Sequence, residues 1–233
     1  MKKGFTLAEV LITLGIIGVV AALTIPTLMN NMNKADLQAK FKKANALINT
    51  VINQIVYEKQ TLDLQKEYCY HSDPTCETGE YTGMNSLDKL LTDMAPYFKS
   101  AVIRNTSQPI PDIDTRGNGH NIIGENVGNL IHSSASAAIY LADGSIIDIN
   151  CPSAAYPQII FDLNGNKGPN RFGYDIFWWR LEGTKAVPLS WDYGDGQNCQ
   201  LTSGQYSGVM CAQYAIQDKC PWDATKGYWQ CLP

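Results

Sequence analysis

Charged residues and metal-binding motifs are scarce in this sequence of 233 residues. Only 17% of the residues are charged, and the formal net charge of −4 gives no basic excess of the kind that nucleic-acid-binding proteins carry. Seven cysteines are present, but no two are spaced as C-x-x-C, which argues against a zinc or thioredoxin-like site. We therefore predict that nucleic acid is not the main partner and that the cysteines belong to an oxidising compartment.

The sequence also lacks the common catalytic motifs. The histidines, His71, His120 and His132, stand in loop-like or polar surroundings outside any H-E-x-x-H, and no G-x-S-x-G occurs. The glycine-rich stretch 117–128 lacks the preceding strand and the Gly-Lys-Ser/Thr of a phosphate-binding loop. Phe177-Trp178-Trp179 could stack on a sugar or a base, but aromatic residues in strands are more often core residues. We predict that the chain is not an enzyme.

A long apolar run at the N-terminus contains a single charged residue. From Phe5 to Met29 that residue is Glu9. About 20 apolar residues in a helix cross ~30 Å of hydrocarbon, so the run is long enough to span a membrane. A secretory signal peptide would be shorter and would end at a small-x-small site such as Val20-Ala21-Ala22. A plain signal anchor accounts for the length, but it leaves unexplained a carboxylate that costs several kcal/mol in hydrocarbon.

The residues around Glu9 resemble a known signal. Gly4-Phe5-Thr6-Leu7-Ala8-Glu9 follows two lysines and is similar to the class III signal of type IV prepilins and type II secretion pseudopilins. In that family, a peptidase cuts after the glycine on the cytoplasmic side, and the new N-terminal residue, commonly phenylalanine, is N-methylated. The resemblance implies cleavage after Gly4, methylation of Phe5, and an assembly role for Glu9 at the fifth mature position.

The same resemblance implies a location and a set of partners. The chain is expected to cross the inner (cytoplasmic) membrane once, with its C-terminal domain outside the cytoplasm, and then to enter an extracytoplasmic filament. Its implied partners are other pilin or pseudopilin subunits, the prepilin peptidase/methyltransferase, the inner-membrane assembly platform and the lipid bilayer. The implied function is that of a structural subunit of a type IV pilus or a type II secretion-like filament. A minor tip pilin acting as an adhesin or in DNA uptake is one alternative, and a membrane-tethered enzyme is the other.

Two roles for Glu9 remain open from the residues alone. In hydrocarbon its carboxylate needs a counter-charge, and the amine of Phe5 in a staggered neighbouring subunit would supply one. Alternatively, the carboxylate reaches the headgroups near the helix end. The lysines that follow the apolar run do not by themselves place the C-terminal domain outside the cytoplasm.

The apolar pattern continues beyond the membrane-length run. Residues at steps of three and four predict one helix from about Thr6 to about Glu58, whose second half is amphipathic. Pro26 removes one helix hydrogen bond and should kink or locally open this helix. In the family that the N-terminus resembles, the region from Gly18 to Pro26 loosens on assembly. The predicted buried stripe consists of Leu37, Phe41, Ala44, Ile48, Val51, Ile52 and Ile55.

The remaining pattern predicts an α+β fold. A short helix is expected over 86–98, with Ser86 as its N-cap. Strands are expected at 137–141 and 145–149, forming a hairpin, and at 158–161 and 174–181, whereas 105–129 is expected to be a loop. The simplest arrangement packs the long N-terminal helix on a small antiparallel sheet, as in pilins, followed by a cysteine-rich C-terminal region. The predicted boundaries are a leader at 1–4, a transmembrane and filament-core helix at 5–29, an amphipathic stem at 30–60 and an extracytoplasmic globular domain at 61–233.

The cysteines predict up to three disulfides. Cys69 and Cys76 are close in sequence and are expected to pair. Two more bonds are expected in the C-terminal region, with three possible connectivities that the sequence leaves open. Cys151 is left over and is expected to be a buried free thiol, since it follows an apolar strand. The four C-terminal cysteines are Cys199, Cys211, Cys220 and Cys231.

One loop has the oxygen donors of a calcium site. Asp162, Asn164 and Asn166 alternate, the Gly168 carbonyl follows, and Asp175 adds a second negative charge. The resemblance to secretion pseudopilins, which hold calcium in a loop beside the sheet, points the same way. The position of the bidentate glutamate of a helix-loop-helix calcium site is here Gly173, so that geometry is excluded. A tight turn is the structural alternative, so no cofactor is certain and calcium stays a hypothesis.

Overall fold

A single long helix dominates the chain. The structure is a computed structural model that describes residues 6–68, 84–128, 136–150, 157–190 and 199–233. Helix α1 runs over Leu7–Lys59 and contains 53 residues, which makes it about 80 Å long at 1.5 Å per residue. The predicted long helix is therefore confirmed. It begins after the N-cap Thr6 and ends at Gln60, whose φ of 52° gives a left-handed C-cap.

The two halves of α1 have opposite surroundings. The N-terminal half leaves its large apolar side chains exposed, and α1 contains an 18-residue window of mean hydropathy 2.3, none of it buried. By length and composition, α1 can cross a membrane. In the C-terminal half, every residue of the predicted stripe from Leu37 to Ile55 is buried. A fully buried large aliphatic side chain stabilises a fold by about 1.5–3 kcal/mol, so this stripe holds the helix on the rest of the chain.

Six of the described strands form one antiparallel sheet, as the sequence predicted. The described strands are β1 Val102–Arg104, β2 Gly119–His120, β3 Asn126–Gly128, β4 Ala137–Tyr140, β5 Ile146–Asn150, β6 Gln158–Asp162, β7 Ile176–Glu182 and β8 Lys185–Pro188. The strand order is β1-β4-β5-β6-β7-β8, and a separate two-stranded ribbon pairs β2 with β3. The ribbon lies within the segment predicted to be a loop, and β1 and β8 were missed because they are short edge strands.

Two short helices lie between α1 and the sheet in sequence. Helix α2 covers Leu64–Glu67 and helix α3 covers Met84–Met94, followed by a 3-10 turn at Ala95–Tyr97. The prediction that Ser86 is the N-cap of α3 is wrong, because the helix already begins at Met84 and Ser86 lies inside it. The apolar residues that predicted this helix are buried: Leu87, Leu90, Leu91 and Met94.

An aromatic cluster joins α1 to the sheet. The Phe41 ring lies 4.5 Å from the Phe177 ring and 5.8 Å from the Trp179 ring, measured between centroids. The Trp179 indole N–H donates a hydrogen bond to Asn45 Oδ1 at 3.2 Å. Trp178 points to the opposite face of the sheet, where its ring lies 4.7 Å from that of Phe172. Because Trp178 is 4% exposed and Trp179 is fully buried, these aromatic residues are core residues and not a stacking surface for a ligand.

The C-terminal region is held by two disulfides. Cys199 bonds to Cys211, and Cys220 bonds to Cys231, which selects one of the three possible connectivities. Two short helices occur here, α4 at Ala212–Gln217 and α5 at Tyr228–Cys231. The predictions for Cys69, Cys76 and Cys151 lie outside the described residues.

A glycine allows this region to approach the sheet. Gly173 has a φ of +71°, and a Cβ on it would lie 2.8 Å from Cys211 Sγ and 2.9 Å from the Gly208 carbonyl oxygen. Both the backbone conformation and the contact therefore require glycine. We refer to the sheet, α2 to α5 and the buried half of α1 as the globular part.

Candidate functional site

The N-terminus of α1 holds Glu9 in a capping box. Glu9 Oε2 accepts hydrogen bonds from the Thr6 backbone N–H at 2.8 Å and from the Thr6 hydroxyl at 2.7 Å. In return, the Glu9 backbone N–H donates to Thr6 Oγ1 at 3.3 Å. The order Thr-x-x-Glu at the start of a helix is the sequence signal of this motif, which was not among the predictions. Both contacts to the carboxylate use Oε2. Gly4 and Phe5 lie outside the described residues.

Pro26 does not interrupt the helix. Helix α1 continues through it as one helical element, so the helix is not opened at this position in the structure. Hydroxyl groups on the same helix bond to backbone carbonyls, from Thr24 to Val20 at 2.9 Å and from Thr13 to Glu9 at 2.9 Å. Such bonds satisfy polar groups within the helix when no water is present. Loosening at Pro26 during assembly stays a prediction.

The predicted calcium loop connects β6 to β7. Asp162 ends β6, and the Leu163 backbone N–H donates to the Asp175 carbonyl at 2.8 Å, which places the two ends of the loop side by side. Asp162 Oδ1 accepts from the backbone N–H groups of Asn164 at 3.1 Å and Gly165 at 2.7 Å. These bonds are what an Asp in a tight turn makes without any metal.

The other end of the loop is organised by Asp175. Its carboxylate accepts from the backbone N–H of Asn170 at 3.0 Å and from that of Arg171 at 2.6 Å. Asn164 Nδ2 donates to the Gly168 carbonyl at 2.7 Å, and the Asn164 side chain acts on Asp175 to lower its pKa. Asn164 Oδ1 and Asn170 Oδ1 are buried and have no hydrogen-bond partner within the described parts of the chain, which is unusual for buried polar atoms.

The structure thus brings four of the five predicted ligands together and separates the fifth. Asp162 and Asp175 lie at the two adjacent ends of the loop, and Asn164 bonds to the Gly168 carbonyl between them in sequence. Asn166 instead faces a different segment, where its side chain accepts from the Thr115 N–H at 2.9 Å and donates to the Ile113 carbonyl at 2.5 Å.

A buried arginine already neutralises part of the charge at this site. The Arg116 guanidinium lies 2.7 Å from Asp114 Oδ2, 2.9 Å from Asp148 Oδ2 and 3.4 Å from Asp162 Oδ2, and all four side chains are fully buried. The Tyr140 hydroxyl also donates to Asp114 at 3.1 Å. One guanidinium therefore faces three carboxylates, and we call these four charged residues the Arg116 cluster.

Burial makes the two loop carboxylates hard to ionise. It raises the pKa of Asp162 to about 6, although the Arg116 charge and the loop N–H groups oppose the shift. Burial and the negative charge of Asp162 raise the pKa of Asp175 to about 7. Since an unfolded aspartate has a pKa of about 3.9, the folded state binds protons more tightly. Stability contributed by these groups is therefore lost as the pH rises from about 4 to about 7, unless a cation replaces the protons.

The loop was predicted from the sequence, but the Arg116 cluster was not. Asp148 offered one signal, because it is an acidic residue within the apolar strand Ile146-Ile147-Asp148-Ile149 and would be buried there. Arg116 offered none, since it lies in a glycine- and asparagine-rich segment without periodicity. Its partner Asp162 is 46 residues away in the chain.

Comparison with known proteins gives matches that cover part of the chain. The prokaryotic N-terminal methylation motif matches residues 1–25. The type II secretion system core protein G of Escherichia coli K12 is 44% identical over 50 residues, which is 22% of this chain and 34% of that protein. The protein of the same name from Klebsiella michiganensis is 35% identical over 65 residues, 28% of this chain and 38% of that protein. No solved structure matches the chain.

These matches agree with the geometry of the N-terminal helix. The alignments span just over a third of the length of the curated relatives, so they concern shared regions and not whole proteins. The methylation motif coincides with the Thr6 to Glu9 capping box and the exposed apolar half of α1. The chain therefore carries the prokaryotic N-terminal methylation motif and has homologues among the type II secretion pseudopilins.

Proposed function

We propose that this chain is a structural subunit, a pilin or pseudopilin, of a type IV pilus or a type II secretion-like filament. The observation that carries the proposal is the coincidence of the methylation motif at residues 1–25 with an exposed, membrane-length helix that continues into a buried stem. An exposed apolar half-helix needs either lipid or the same helix of other subunits around it. In the proposed assembly route, lipid surrounds this half-helix in the inner membrane, and the helices of other subunits surround it in the filament core.

We propose further that the chain is processed before assembly. The peptidase would cut after Gly4 and leave Phe5 as the methylated N-terminal residue, while the globular part lies outside the cytoplasm. The other partners in this proposal are neighbouring subunits and the inner-membrane assembly platform. The two disulfides of the C-terminal region support an oxidising location.

Processing is expected to require Gly4. Mass spectrometry of the mature chain should find Phe5 first and N-methylated, and Gly4→Ala should slow or block the cleavage. Gly15→Ala is the matched control, because a Cβ at Gly15 meets nothing within 4 Å and the residue lies downstream of the cut. A mature chain that keeps Met1, or one that begins at Leu23, would refute the prepilin interpretation.

We also propose that the loop between β6 and β7 binds calcium. Among the residues that the structure describes, no group of three or more His, Cys, Asp and Glu side chains could hold a metal ion. A cation would therefore depend on amide and backbone oxygens as well as on the two carboxylates. The supporting observation is Asn164 Oδ1, which has no hydrogen-bond partner among the described residues, while Nδ2 of the same amide donates to the Gly168 carbonyl in the loop bounded by Asp162 and Asp175.

A flip of the Asn164 amide would change it from a hydrogen-bond donor to an oxygen ligand at the Gly168 carbonyl. With no cation, its Nδ2 donates to the Gly168 carbonyl and so satisfies an oxygen that calcium would otherwise use. A flip of the amide would exchange Nδ2 for Oδ1, so that two acceptors, Asn164 Oδ1 and the Gly168 carbonyl oxygen, would face each other and a cation between them. Calcium prefers six to eight such hard oxygen ligands, and two carboxylates imply affinity in the range of ~10⁻⁴–10⁻³ M.

Calcium is expected to stabilise the wild-type chain and the Asn166→Ala variant, but not Asn164→Ala. At ten to a hundred times the Kd, a ligand adds about 1.4–2.7 kcal/mol, which raises the Tm of a chain of this size by about 3–10 °C. Melting should be followed in calcium and in chelator at pH 7.5 and at pH 5. The calcium increment should shrink at pH 5, because protons then compete for Asp162 and Asp175.

Asn166→Ala serves as the control because its amide bonds to the segment 113–115 instead. If melting is identical in calcium and in chelator, the loop is a structural turn and the calcium proposal is wrong. An equal increment in wild type and Asn164→Ala would place the ion elsewhere.

A further inference from the structure

A polar groove lies where the globular part meets the membrane-length half of α1. It has a volume of about 370 Å³ and is formed between the first turns of the stem and the loop that connects β6 to β7. Its walls include Asn33, Asp36, Lys40, Lys167, Pro169 and Arg171.

The groove lies close to the expected level of the lipid headgroups. If the apolar run ends at Met29, Asn33 is about 6 Å and Lys40 about 16 Å further along the helix axis. The polar headgroup region of each leaflet is roughly 5–8 Å thick. The mouth of the groove at Asn33 is therefore at headgroup depth, and lysine side chains can extend toward it from above.

The charge of the groove is positive. Lys40, Lys167 and Arg171 contribute three cations, whereas Asp36 contributes one carboxylate, which lies 3.0 Å from Lys40 Nζ. Lys167 is exposed, and no ion pair of Lys167 is found among the described residues. Arg171 is held in place by a hydrogen bond from Nη2 to the Ile122 carbonyl at 2.7 Å. An anion that enters the groove would thus meet two cations beyond the Asp36–Lys40 pair.

We propose that this groove binds the phosphate of an anionic phospholipid headgroup in the outer leaflet of the inner membrane. The inference rests on the proposed membrane anchoring. Three features point to lipid as the occupant: the position directly above the membrane-length helix, a volume that accepts a headgroup, and the net positive charge. Such a contact would fix the rotation of the globular part on the membrane before the subunit joins a filament.

The test is hydrogen exchange on the full chain in phosphatidylcholine nanodiscs, with and without phosphatidylglycerol. The reporters are the backbone amides of Lys167 and Gly168, which donate to the Asn164 and Gly165 carbonyls in the 3-10 turn beside the groove. Phosphatidylglycerol should slow their exchange. In Lys167→Gln, the phosphatidylglycerol fraction that gives half of the effect should rise about fivefold, since one cation near an anionic surface is worth about 1 kcal/mol.

Lys185→Gln is the matched control. Lys185 is also exposed, but it lies next to Gly183, whose carbonyl accepts from the Leu64 N–H beyond the C-terminal end of α1. It is thus at the end of the globular part far from the membrane, and its removal should leave the protection unchanged.

The possible outcomes distinguish a failure of the headgroup proposal from a failure of the membrane-anchoring proposal. Equal exchange in both lipid mixtures, or an unchanged response in Lys167→Gln, would overturn the headgroup proposal while the inserted chain still supports a membrane anchor. Protection by inorganic phosphate in phosphatidylcholine alone, at the same level as with phosphatidylglycerol, would assign the groove to free phosphate and overturn it too. A chain that does not insert at all would overturn the anchoring and the groove together.

Discussion

Replacing Arg116 with methionine should destabilise the globular part by about 3–5 kcal/mol, the usual cost of removing one partner from a buried ion pair. The guanidinium is fully buried and contacts Asp114, Asp148 and Asp162. Methionine fills a similar volume, so the main loss is the charge and its hydrogen bonds. Against a typical total stability of about 5–15 kcal/mol, this substitution alone can leave a large unfolded fraction.

Chemical denaturation of the full chain in detergent would measure the effect, since buried Trp178, Trp179 and Trp229 report unfolding by fluorescence. The variant should be partly rescued as the pH falls from about 7 to 5, because the buried carboxylates that have lost the Arg116 charge are then protonated in the folded state. A purely steric defect would show no such rescue.

Lys43→Met provides the control for a surface ion pair. Lys43 Nζ lies 2.6 Å from Asp143 Oδ2, a shorter distance than any in the Arg116 cluster, but the two side chains are 65% and 44% exposed. Exposed pairs contribute about 0–1 kcal/mol. If Arg116→Met costs no more than Lys43→Met, the Arg116 cluster does not stabilise the fold as we argue.

Replacing Glu9 with glutamine should abolish most filament incorporation while leaving membrane insertion intact. Glutamine at this position keeps a capping box with Thr6, so the helix N-terminus stays formed, whereas the negative charge is lost. Insertion should be unaffected or improved, because a carboxylate in hydrocarbon is costly. If the charge pairs with the amine of Phe5 in a neighbouring subunit, each added subunit loses its counter-charge. Filament yield after shearing, normalised to membrane-bound subunit, measures the effect.

Two further variants separate the charge from the cap. Glu9→Ala removes both and should assemble no better than Glu9→Gln. Thr13→Ala removes a hydroxyl that bonds to the Glu9 carbonyl on the same helix and should assemble at the wild-type level. Wild-type assembly of Glu9→Gln would show that the carboxylate merely lies at the headgroups or caps its helix, and the pairing hypothesis would be wrong.

The structure adds a constraint to that hypothesis. Glu9 is not an unsatisfied charge in the isolated subunit, because Oε2 already accepts two hydrogen bonds from Thr6. Neither of these bonds uses Oε1, so a second subunit could be bound without breaking the cap. The pairing energy in the filament is then smaller than for a bare carboxylate, and the register of subunits would depend on the direction in which the Thr6 cap holds the side chain.

The features predicted correctly from the sequence are those set by interactions between residues close together in the chain. The spacing of Leu37, Phe41, Ala44 and Ile48 follows the period of a helix, and all four are buried in the core. The hairpin of β4 and β5 was visible because two short apolar runs joined by an Asp-Gly turn are local signals. Strands β1 and β8 have only three and four residues, and unlike the equally short β4 they do not adjoin an Asp-Gly turn that would distinguish an edge strand from a loop.

By itself, the sequence determined the membrane-length N-terminal helix, its N-terminal methylation motif and the apolar face of the stem, since each is set by neighbouring residues and by the thickness of a bilayer. Three features were decided only by the tertiary structure. They are the disulfide connectivity, the contact of Asn166 with segment 113–115 instead of the other predicted calcium ligands, and the burial of Arg116 among carboxylates from three segments. Arg116 meets Asp148 and Asp162 across 32 and 46 residues, and no local pattern encodes such a pairing. It exists because the register of β5 with β6 sets Asp148 opposite Ile160 and Ile146 opposite Asp162, so that one guanidinium can reach the acidic residues of both strands.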